Sequence, residues 1–445
     1  MDKYERKVYV MNFFQKDIET MPRKELEALQ LERLKNIVAY CYNNTKFYHD
    51  KLDKAGVGDG SKIKVLSDIE YIPFTEKSEF RDNYPFGMVA VPHKDIVRVH
   101  ASSGTTGKPT VGVYTKQDID IWSDCVARVC AAGGVTDEDI IQISFGYGLF
   151  TGALGLHYGL EKLGAMVIPM SSGNTEKQLM MMRDLGVTGL VATPSYALYL
   201  SEAVKEGEYP LDAYKLRLGI LGSEPCTPEM RETIEKNLGV YVSDNYGMTE
   251  LGGPGVSGDC FERDGMHFAE DHFLPEIVDP DTGKRLESGA TGELIVTTLT
   301  KQGMPVLRYR TRDITTLDYE PCKCGRTHVR MSKTKGRTDD MLIIKGVNVF
   351  PTQIESVLIN IDKIGPHYQL VVRREDKFKD TLEIKVELLD ASVLENYGEL
   401  EKLIRLIQER IKSVLGLQAK ITLVPPKTLE RFQGKAKRIL DLRNQ

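Results

Sequence analysis

The sequence predicts an α/β protein: a large N-terminal domain of parallel sheets covered by helices plus a small β-subdomain, then a small α+β C-terminal domain. Short apolar runs alternate with amphipathic stretches from about residue 97 to 300, β-rich runs follow, and the pattern changes again near residue 336. Because 445 residues are too many for one ordinary core, two or three domains are expected. We expect domains at 1–335 and 336–445, with the β-subdomain at about 270–330.

The first 60 residues predict helices, because apolar side chains recur at spacings of three and four and therefore share one helix face. These side chains are Leu31, Leu34, Val38 and Cys41. Further along, strands alternate with helices, which is typical of a parallel sheet with helices on its faces. The predicted strands are Ile140–Ser144, Ala165–Pro169, Val187–Ala192 and Leu218–Leu221, and the predicted helices include Glu176–Leu185 and Pro228–Leu238.

The β-subdomain is predicted from β-rich runs separated by turn residues. Its strands are Phe273–Val278, Glu293–Thr298 and Ile314–Leu317. In the C-terminal domain a helix is expected from Pro351, because proline suits the first helical position. The other predicted elements there are a strand at Met341–Ile344, a hairpin of Gln369–Arg373 and Leu382–Leu388, a helix at Leu400–Leu415 and a strand at Ala419–Leu423.

Composition restricts the functional class. The chain is 41% hydrophobic and 28% charged, which is ordinary for a soluble globular protein. A net charge of -5 argues against a general nucleic-acid binder. With no secretory signal and no long apolar run, we expect no membrane partner and a cytoplasmic location. Seven cysteines do not form a disulfide framework in a chain this long.

A glycine-rich segment at residues 102–109 predicts a phosphate-binding loop. Its glycines let backbone N–H groups converge, and four hydroxyls and one lysine add further donors. It is not a Walker A loop, because only two residues separate its glycines and a proline follows its lysine. The flanking runs predict strands, so the loop forms a hairpin tip. The candidate residues are Ser102, Ser103, Gly104, Thr105, Thr106, Gly107 and Lys108, followed by Pro109.

Four more motifs follow in order: Asp244-Asn245-Tyr246-Gly247-Met248-Thr249-Glu250, Tyr309-Arg310-Thr311-Arg312-Asp313, Gly336-Arg337-Thr338-Asp339-Asp340-Met341 and Gly434-Lys435-Ala436-Lys437-Arg438. With the loop, they resemble the core motifs of the adenylate-forming superfamily, from about residue 75 to the end. The similarity is greatest to its phenylacetate-CoA ligase branch. The branch assignment rests on the short length and on two runs, residues 145–152 and 347–351.

The resemblance implies an ATP-dependent acid–thiol ligase that uses Mg²⁺ and coenzyme A. Lys435 is implied as the catalytic lysine, with Lys437 as its rival, while Thr249 contacts the α-phosphate and Glu250 binds Mg²⁺. Asp313 is implied to bind the ribose. The implied ATP-binding residues are Ser102, Ser103, Gly104, Thr105, Thr106, Gly107, Lys108, Ser223, Glu224, Pro225, Asn245, Tyr246, Gly247, Met248, Thr249, Asp313 and Arg337.

The resemblance also implies that the C-terminal domain rotates between the two half-reactions, about a hinge at Asp339 or Asp340. Lys345, Gly346 and Val347 are then expected to line the path of the coenzyme A thiol. One departure from the superfamily pattern is Arg312, which stands where glycine is common.

The acid is expected to bind beside residues 146–159, a stretch with five glycines and neither lysine nor arginine. The third glycine of a dinucleotide fingerprint is absent from this stretch. We therefore interpret it as the end of a strand and the start of a helix that together line an apolar pocket. Tyr147 and Phe150 are the candidates for ring contacts, although core packing is an alternative for Phe150. This favours a small aromatic monocarboxylate: phenylacetate, a substituted or indole relative, or benzoate.

Cys260, His267, Cys322 and Cys324 predict a structural zinc site, because three thiols and one imidazole form a closed tetrahedral set. His272 and His328 are rivals for the nitrogen ligand, and buried free thiols are the alternative to a metal.

Three other functions remain as alternatives: an adenylating ligase that loads another aryl acid or a carrier-protein thiol, a non-catalytic nucleotide-binding regulator, and, least favoured, a P-loop ATPase. The resemblance also makes a homodimer plausible.

Overall fold

The computed structural model describes residues 12–102, 109–338, 342–344, 347–376, 379–431 and 438–443. In the N-terminal part the helices are α1 (Lys16–Glu19), α2 (Arg23–Asn44), α3 (Lys46–Lys54), α4 (Lys77–Asp82), α5 (Lys116–Ala132), α6 (Thr151–Leu163), α7 (Thr175–Asp184), α8 (Pro194–Glu206) and α9 (Pro228–Leu238). None of the helices within these ranges has the length and apolar character needed to cross a bilayer.

The strands of the N-terminal part are β1 (Arg98–Ala101), β2 (Val111–Tyr114), β3 (Ile140–Ile143), β4 (Met166–Ile168), β5 (Gly189–Ala192), β6 (Leu218–Gly222), β7 (Tyr241–Met248), β8 (Gly253–Asp259), β9 (Met266–Phe268), β10 (Phe273–Val278), β11 (Gly292–Thr298), β12 (Tyr309–Thr315), β13 (Leu317–Asp318), β14 (Arg330–Met331) and β15 (Gly336–Arg337). The C-terminal part contains β16 (Leu342–Ile344), β17 (Val347–Val349), α10 (Pro351–Leu358), β18 (Ile364–Asp376), β19 (Lys379–Leu388), α11 (Tyr397–Leu415), β20 (Lys420–Val424) and β21 (Ile439–Asp441).

The largest sheet has nine strands in the order β13-β14-β9-β8-β7-β6-β5-β3-β4. Strands β4, β3, β5, β6 and β7 run parallel, and the strands on the other side of β7 pair antiparallel. The strand–helix alternation therefore correctly predicts the parallel half. Strand β7 lies at the change of direction, so the chain leaves the parallel half there and turns back into β8.

Two of the crossover helices begin with the same local signal. Thr193 and Thr227 cap α8 and α9, each accepting a 3.2 Å hydrogen bond from a backbone N–H in the first turn. Pro194 and Pro228 follow at the first helical position. Proline there lacks only an N–H that the helix would leave unpaired, so the strand-to-helix boundary is encoded locally.

The predicted β-subdomain forms a four-stranded sheet, β10-β11-β12-β15. The predicted strand Ile314–Leu317 is divided, because β12 ends at Thr315 and β13 begins at Leu317. Strands β13 and β14, at residues 317–331, join the nine-stranded sheet instead. The β-rich region therefore contributes to two sheets.

The C-terminal part has its own hydrophobic core, which α10 and α11 form against a sheet in the order β20-β19-β18-β21. Along α11, Leu403, Ile407, Ile411 and Leu415 are buried, one turn apart. The predicted hairpin and helices are present. Strand β21, which pairs parallel with β18, was not predicted from the sequence. The proposed domain boundary at residues 335/336 stays a prediction.

Candidate active site

The described end of the glycine-rich segment closes a β-hairpin, as the flanking sequences predict. Strands β1 and β2 pair antiparallel, with Ala101 opposite Val111. Beyond them, the Ser102 N–H donates to the Thr110 carbonyl at 2.9 Å, and the Thr110 N–H donates to the Ser102 hydroxyl at 3.0 Å. The tip itself, Ser103, Gly104, Thr105, Thr106, Gly107 and Lys108, lies outside the described residues.

The base of this hairpin contacts two other predicted site segments. A β-carbon on Gly112 would lie 3.1 Å from the Thr249 carbonyl oxygen, and the Tyr114 hydroxyl donates to the Gly252 carbonyl at 3.0 Å. On the other side, the Ala101 N–H donates to the Leu149 carbonyl at 2.8 Å. Segments far apart in sequence, around residues 149 and 249–252, therefore contact the two strands that flank the glycine-rich segment.

Thr249 and Glu250 follow the end of β7 and are both buried, with 5% exposure each. The Glu250 carboxylate lies 3.9 Å from the Lys77 Nζ. Burial, followed by the nearby Glu250 charge, raises the pKa of Tyr309 well above its usual value. Lys301 donates to the Glu250 carbonyl at 3.4 Å, and its burial lowers its pKa to about 8. Glu250 is thus a buried carboxylate, and the Lys77 ammonium lies 3.9 Å from it, beyond hydrogen-bond distance.

Asp313 lies on β12 and is held by two side chains. The Tyr246 hydroxyl donates to Asp313 Oδ2 at 2.6 Å, and Arg337 Nη1 lies 3.3 Å from Asp313 Oδ1. Arg337 is the register partner of Asp313 on β15. Three separate motifs of the sequence therefore converge on one carboxylate.

Arg312, at the position where the resemblance leads us to expect glycine, adopts a φ of 68°. This left-handed conformation is strained for residues that carry a β-carbon. The guanidinium extends to Glu76 at 2.5 Å, and the Arg312 N–H donates to Glu293 at 3.2 Å. These contacts help to hold the backbone that orients Asp313, so the departure does not displace the aspartate from Tyr246.

Ser223, Glu224 and Pro225 follow β6, beside the start of the Asn245 motif on β7. Gly222 pairs with Asn245, and a β-carbon on Gly222 would lie 2.5 Å from the Asn245 carbonyl oxygen. The Asn245 side chain accepts the Gly255 N–H at 2.9 Å. This close approach explains the glycine that ends β6.

Tyr147 and Phe150 lie between β3 and α6, at the predicted strand end and helix start. Tyr147 is half-buried, and its hydroxyl lies 3.0 Å from His157 Nδ1. Burial raises its pKa above the usual value. Phe150 caps α6 and is 38% exposed, so simple core packing does not describe it.

The four predicted metal ligands meet in one buried cluster. The candidate ligand atoms of Cys260, His267, Cys322 and Cys324 all lie within 4.8 Å of one another. The other ring nitrogen of His267 lies 3.1 Å from the His328 carbonyl. The rival histidines are engaged elsewhere: His272 contacts Thr300 and Asp271, and His328 contacts the carbonyls of Phe268 and Ile18.

Comparison with known proteins agrees with this geometry. A family model described as AMP-binding enzyme matches residues 27–300, and a model of the AMP-binding enzyme C-terminal domain matches residues 346–443. A phenylacetate-coenzyme A ligase of Thermus thermophilus is 49% identical over 97% of this chain and 99% of its own. The chain belongs to the phenylacetate-coenzyme A ligase family of AMP-binding enzymes. An Escherichia coli ligase of the same name is 47% identical over 96% of this chain and 97% of its own.

Solved structures of a 2-hydroxyisobutyryl-CoA ligase in two states allow the arrangement of the two parts of the chain to be compared. In the postadenylation state with R3-HIB-AMP, that enzyme matches with a TM-score of 0.90 at 27% identity, over 99% of this chain and 94% of its own. In its thioesterification state with 2-HIB-AMP and CoA, the TM-score is 0.71 at 29% identity, over 96% and 92% of the two chains. The two parts of the described chain are therefore arranged more as in the first of these structures than as in the second.

Several predicted residues of the C-terminal motifs lie outside the described residues: Asp339, Asp340, Lys345, Gly346, Lys435 and Lys437. Val347 is described in its backbone, where it pairs with Ile344 across a short hairpin. The structure also brings two lysines to the site that the sequence did not single out, Lys77 and Lys301. Neither belongs to a motif, and only folding brings them to Glu250.

Proposed function

We propose that phenylacetate, or a close aryl relative, is the acid that this ligase activates. In the first half-reaction a carboxylate oxygen attacks the α-phosphorus of ATP, which forms acyl-AMP and expels pyrophosphate. In the second, the sulfur of coenzyme A attacks the acyl carbon and expels AMP. The observation that carries the proposal is the convergence of the hairpin, the Thr249–Glu250 turn and Asp313, in a chain nearly half identical to phenylacetate-CoA ligases.

The nucleotide is proposed to lie across this convergence. Asp313 would accept the ribose hydroxyls, since a carboxylate has lone pairs beyond those that Tyr246 and Arg337 use. The adenine would lie between Ser223-Glu224-Pro225 and the Asn245–Met248 backbone. The hydroxyls and the lysine of residues 102–108 would hold the outer phosphates, and Thr249 would contact the α-phosphate.

Magnesium fits Glu250. Hard divalent cations prefer carboxylate oxygens, and this carboxylate is buried with its nearest lysine at 3.9 Å. When bound, the ion would reduce the repulsion between the substrate carboxylate and the phosphates. Lys77 and the carbonyl contact from Lys301 would hold the glutamate in place meanwhile.

The catalytic lysine and the coenzyme A path are proposed from sequence motifs. Lys435 would bridge the incoming carboxylate and the α-phosphate as a flexible point charge. Rotation about Asp339 or Asp340 would then withdraw Lys435 and bring Lys345, Gly346 and Val347 toward the thiol. The similarity to the postadenylation state supports a first-half-reaction arrangement here.

The acid is proposed to bind against the loop between β3 and α6. The half-buried Tyr147 and the partly exposed Phe150 offer aromatic surface beside Leu149, which contacts the hairpin base. No lysine or arginine occurs from Gly146 to Gly159, so a second anionic group on the acid would find no counter-charge there. This favours an apolar ring on a monocarboxylate.

We also propose that Cys260, His267, Cys322 and Cys324 hold a structural zinc ion. Tetrahedral ligands about 2.3 Å from zinc lie ~3.8 Å apart. Cys260 Sγ and Cys322 Sγ are 3.8 Å apart, and Cys324 Sγ is 3.4 Å from His267 Nε2. The bond from the second His267 nitrogen to a carbonyl suits a metal-binding imidazole, because it fixes the ring orientation. Four protein ligands would leave no open position, which suits a structural role.

An AMP-release assay tests the main proposal. The enzyme is incubated with ATP, Mg²⁺ and coenzyme A across a panel of aryl and alkyl acids, with acyl-CoA formation monitored in parallel. Phenylacetate or another aryl acid should give the highest kcat/KM. Preference for an alkyl acid would refute the substrate assignment, and AMP release that requires a carrier protein in place of coenzyme A would favour the alternative acceptor.

A further inference from the structure

One face of α8 makes three of the polar contacts between the N-terminal and C-terminal parts; Thr352, which donates to the Lys335 carbonyl at 3.1 Å, makes another. Ser195, Glu202 and Glu206 are spaced seven and then four residues apart, so they lie on one side of the helix. Arg438 donates to the Ser195 hydroxyl at 3.4 Å, His367 Nε2 lies 3.2 Å from Glu202, and Lys427 Nζ lies 3.1 Å from Glu206. We call Ser195, Glu202 and Glu206 the docking face.

The interface between α8 and the C-terminal part has the composition of an interface that can dissociate. The apolar core of the C-terminal part is formed within residues 342–439, so it does not depend on α8. Among the described residues, the C-terminal part contributes Ile359 to the apolar cluster around α8. A cleft lined by Leu198, Tyr199 and Gln369, among others, lies between the two parts. Polar pairs beside a cleft lose little when water replaces them, in contrast to a packed apolar interface.

Ion pairs hold the described residues on either side of the segment that contains Lys435. Arg431 pairs with the buried Glu387 at 2.7 Å, and Arg438 pairs with the buried Glu355 at 2.5 Å. These arginines are the described residues on either side of residues 432–437. Because Arg438 also donates to Ser195, the residue that follows this segment is bonded both to the C-terminal part and to α8.

Ser195 connects this tie to the nucleotide side of the site. Its backbone N–H donates to Glu224 Oε1 at 2.6 Å. Glu224 belongs to the segment proposed to flank adenine. The first turn of α8 therefore contacts both Arg438, which follows residues 432–437 in sequence, and Glu224, in the segment proposed to flank adenine.

We propose that the docking face of α8 stabilises the adenylation arrangement of the C-terminal part, and so sets the balance between the two half-reactions. This inference rests on the proposed function and on rotation of the C-terminal part between half-reactions. Ser195, Glu202 and Glu206 act as positioning residues, since they hold the C-terminal segment without touching substrate. Weakening them lowers the population competent for acyl-AMP formation and does not lower the thioester-forming population.

The kinetic test separates the half-reactions. Acyl-AMP formation is measured by acid-dependent pyrophosphate release without coenzyme A, and thioester formation by adding coenzyme A to supplied phenylacetyl-AMP. Glu202→Ala should slow the first step about threefold and Glu202→Ala/Glu206→Ala about tenfold, which is the size expected from losing such ion pairs. The second step should stay constant or accelerate. Glu208→Gln, which removes one charge just beyond α8, is the matched control.

A coupling test ties the effect to the partner side chain. His367→Ala should slow the first step about as much as Glu202→Ala, and the double variant should be no slower than either single variant. Equal slowing of both half-reactions, or effects that simply add, would overturn the proposal.

A structural readout makes the inference independent of the acid. Spin labels at Asp212→Cys and Lys412→Cys, both exposed, report the distance between the two parts in the free protein. The wild-type background should give one major distance, and Glu202→Ala/Glu206→Ala should shift population to other distances. An unchanged distribution overturns the docking face even if acyl-AMP forms. A shifted distribution in a protein that activates no acid supports it while refuting the proposed function.

Discussion

Arg337 and Asp313 face each other as register partners on β15 and β12, with Arg337 Nη1 3.3 Å from Asp313 Oδ1. The Tyr246 hydroxyl holds the other carboxylate oxygen at 2.6 Å. The carboxylate is therefore oriented before a nucleotide arrives. Arg337 is the last residue of β15 and lies two residues before Asp339 of the proposed hinge, so one ion pair connects the proposed ribose-binding aspartate to the start of the C-terminal part.

Removing the Tyr246 hydroxyl tests this orientation. Tyr246→Phe keeps the ring but frees Asp313 Oδ2, and a hydrogen bond to a charged group is worth about 1.5–3 kcal/mol. We expect KM for ATP to rise about tenfold in the acyl-AMP-forming step, with a smaller change in kcat. Asp313→Ala should be more severe, because it removes the proposed ribose ligand itself. Tyr241→Phe, whose hydroxyl donates to the Cys260 carbonyl instead, is the control. An unchanged KM in Tyr246→Phe would contradict the role of this bond.

Arg312 allows backbone strain to be measured separately from its ion pairs. Both Arg312→Gly and Arg312→Ala delete the guanidinium contacts to Glu76 at 2.5 Å and Glu293 at 3.8 Å and keep the backbone N–H bond to Glu293, but only alanine keeps a β-carbon at a φ of 68°. The glycine variant should therefore be more stable than the alanine variant by about 1 kcal/mol. Thermal unfolding of the two variants under identical conditions gives the difference. Equal stability would mean that the left-handed backbone carries no strain here.

What could be predicted from sequence follows from how local each feature is. The Thr–Pro starts of α8 and α9 and the pairing of the strands that flank residues 102–109 depend on short patterns, and each appears where expected. The clustering of Cys260 and His267 with Cys322 and Cys324 is consistent with the predicted zinc site, which stays a prediction. Lys301 could not be predicted, because its approach to Glu250 spans 51 residues and no motif contains it. The pairing of β21 with β18 and the docking face of α8 likewise depend on contacts between distant segments.

The buried Lys301 predicts a pH-dependent contribution to stability. Burial lowers its pKa to about 8 from an ordinary value of 10.5. Between these values the unfolded chain keeps a proton that the folded protein has lost, so the unfolding free energy rises with pH. Lys301→Met removes this titration. The difference in unfolding free energy between wild type and variant should therefore change in favour of wild type by about 2 kcal/mol between pH 7.5 and 9.5. A difference that is flat with pH would show that Lys301 stays charged.

Metal analysis tests the zinc proposal. Purified protein should contain about one zinc per chain, and Cys322→Ser should lose it together with several degrees of thermal stability. Cys130→Ser is a matched control, because Cys130 is also a buried free cysteine but is not among the four clustered ligands. If Cys322→Ser kept all of its zinc, or if Cys322→Ser destabilised metal-stripped protein as much as untreated protein, the cluster would be better interpreted as buried thiols.

Single substitutions of Lys435 and Lys437 distinguish the roles of these two neighbouring lysines. Because the first half-reaction brings two anions together, loss of the bridging cation should remove most of its rate, on the order of 10²-fold or more. Lys435→Ala should therefore abolish acyl-AMP formation, while thioester formation from supplied acyl-AMP proceeds at the wild-type rate. Lys437→Ala, which removes the same charge two residues away, should leave both steps within a few-fold of wild type. Equal loss of both steps in Lys435→Ala would contradict a role confined to adenylation, and the stronger effect in Lys437→Ala would exchange the assignment of the two lysines.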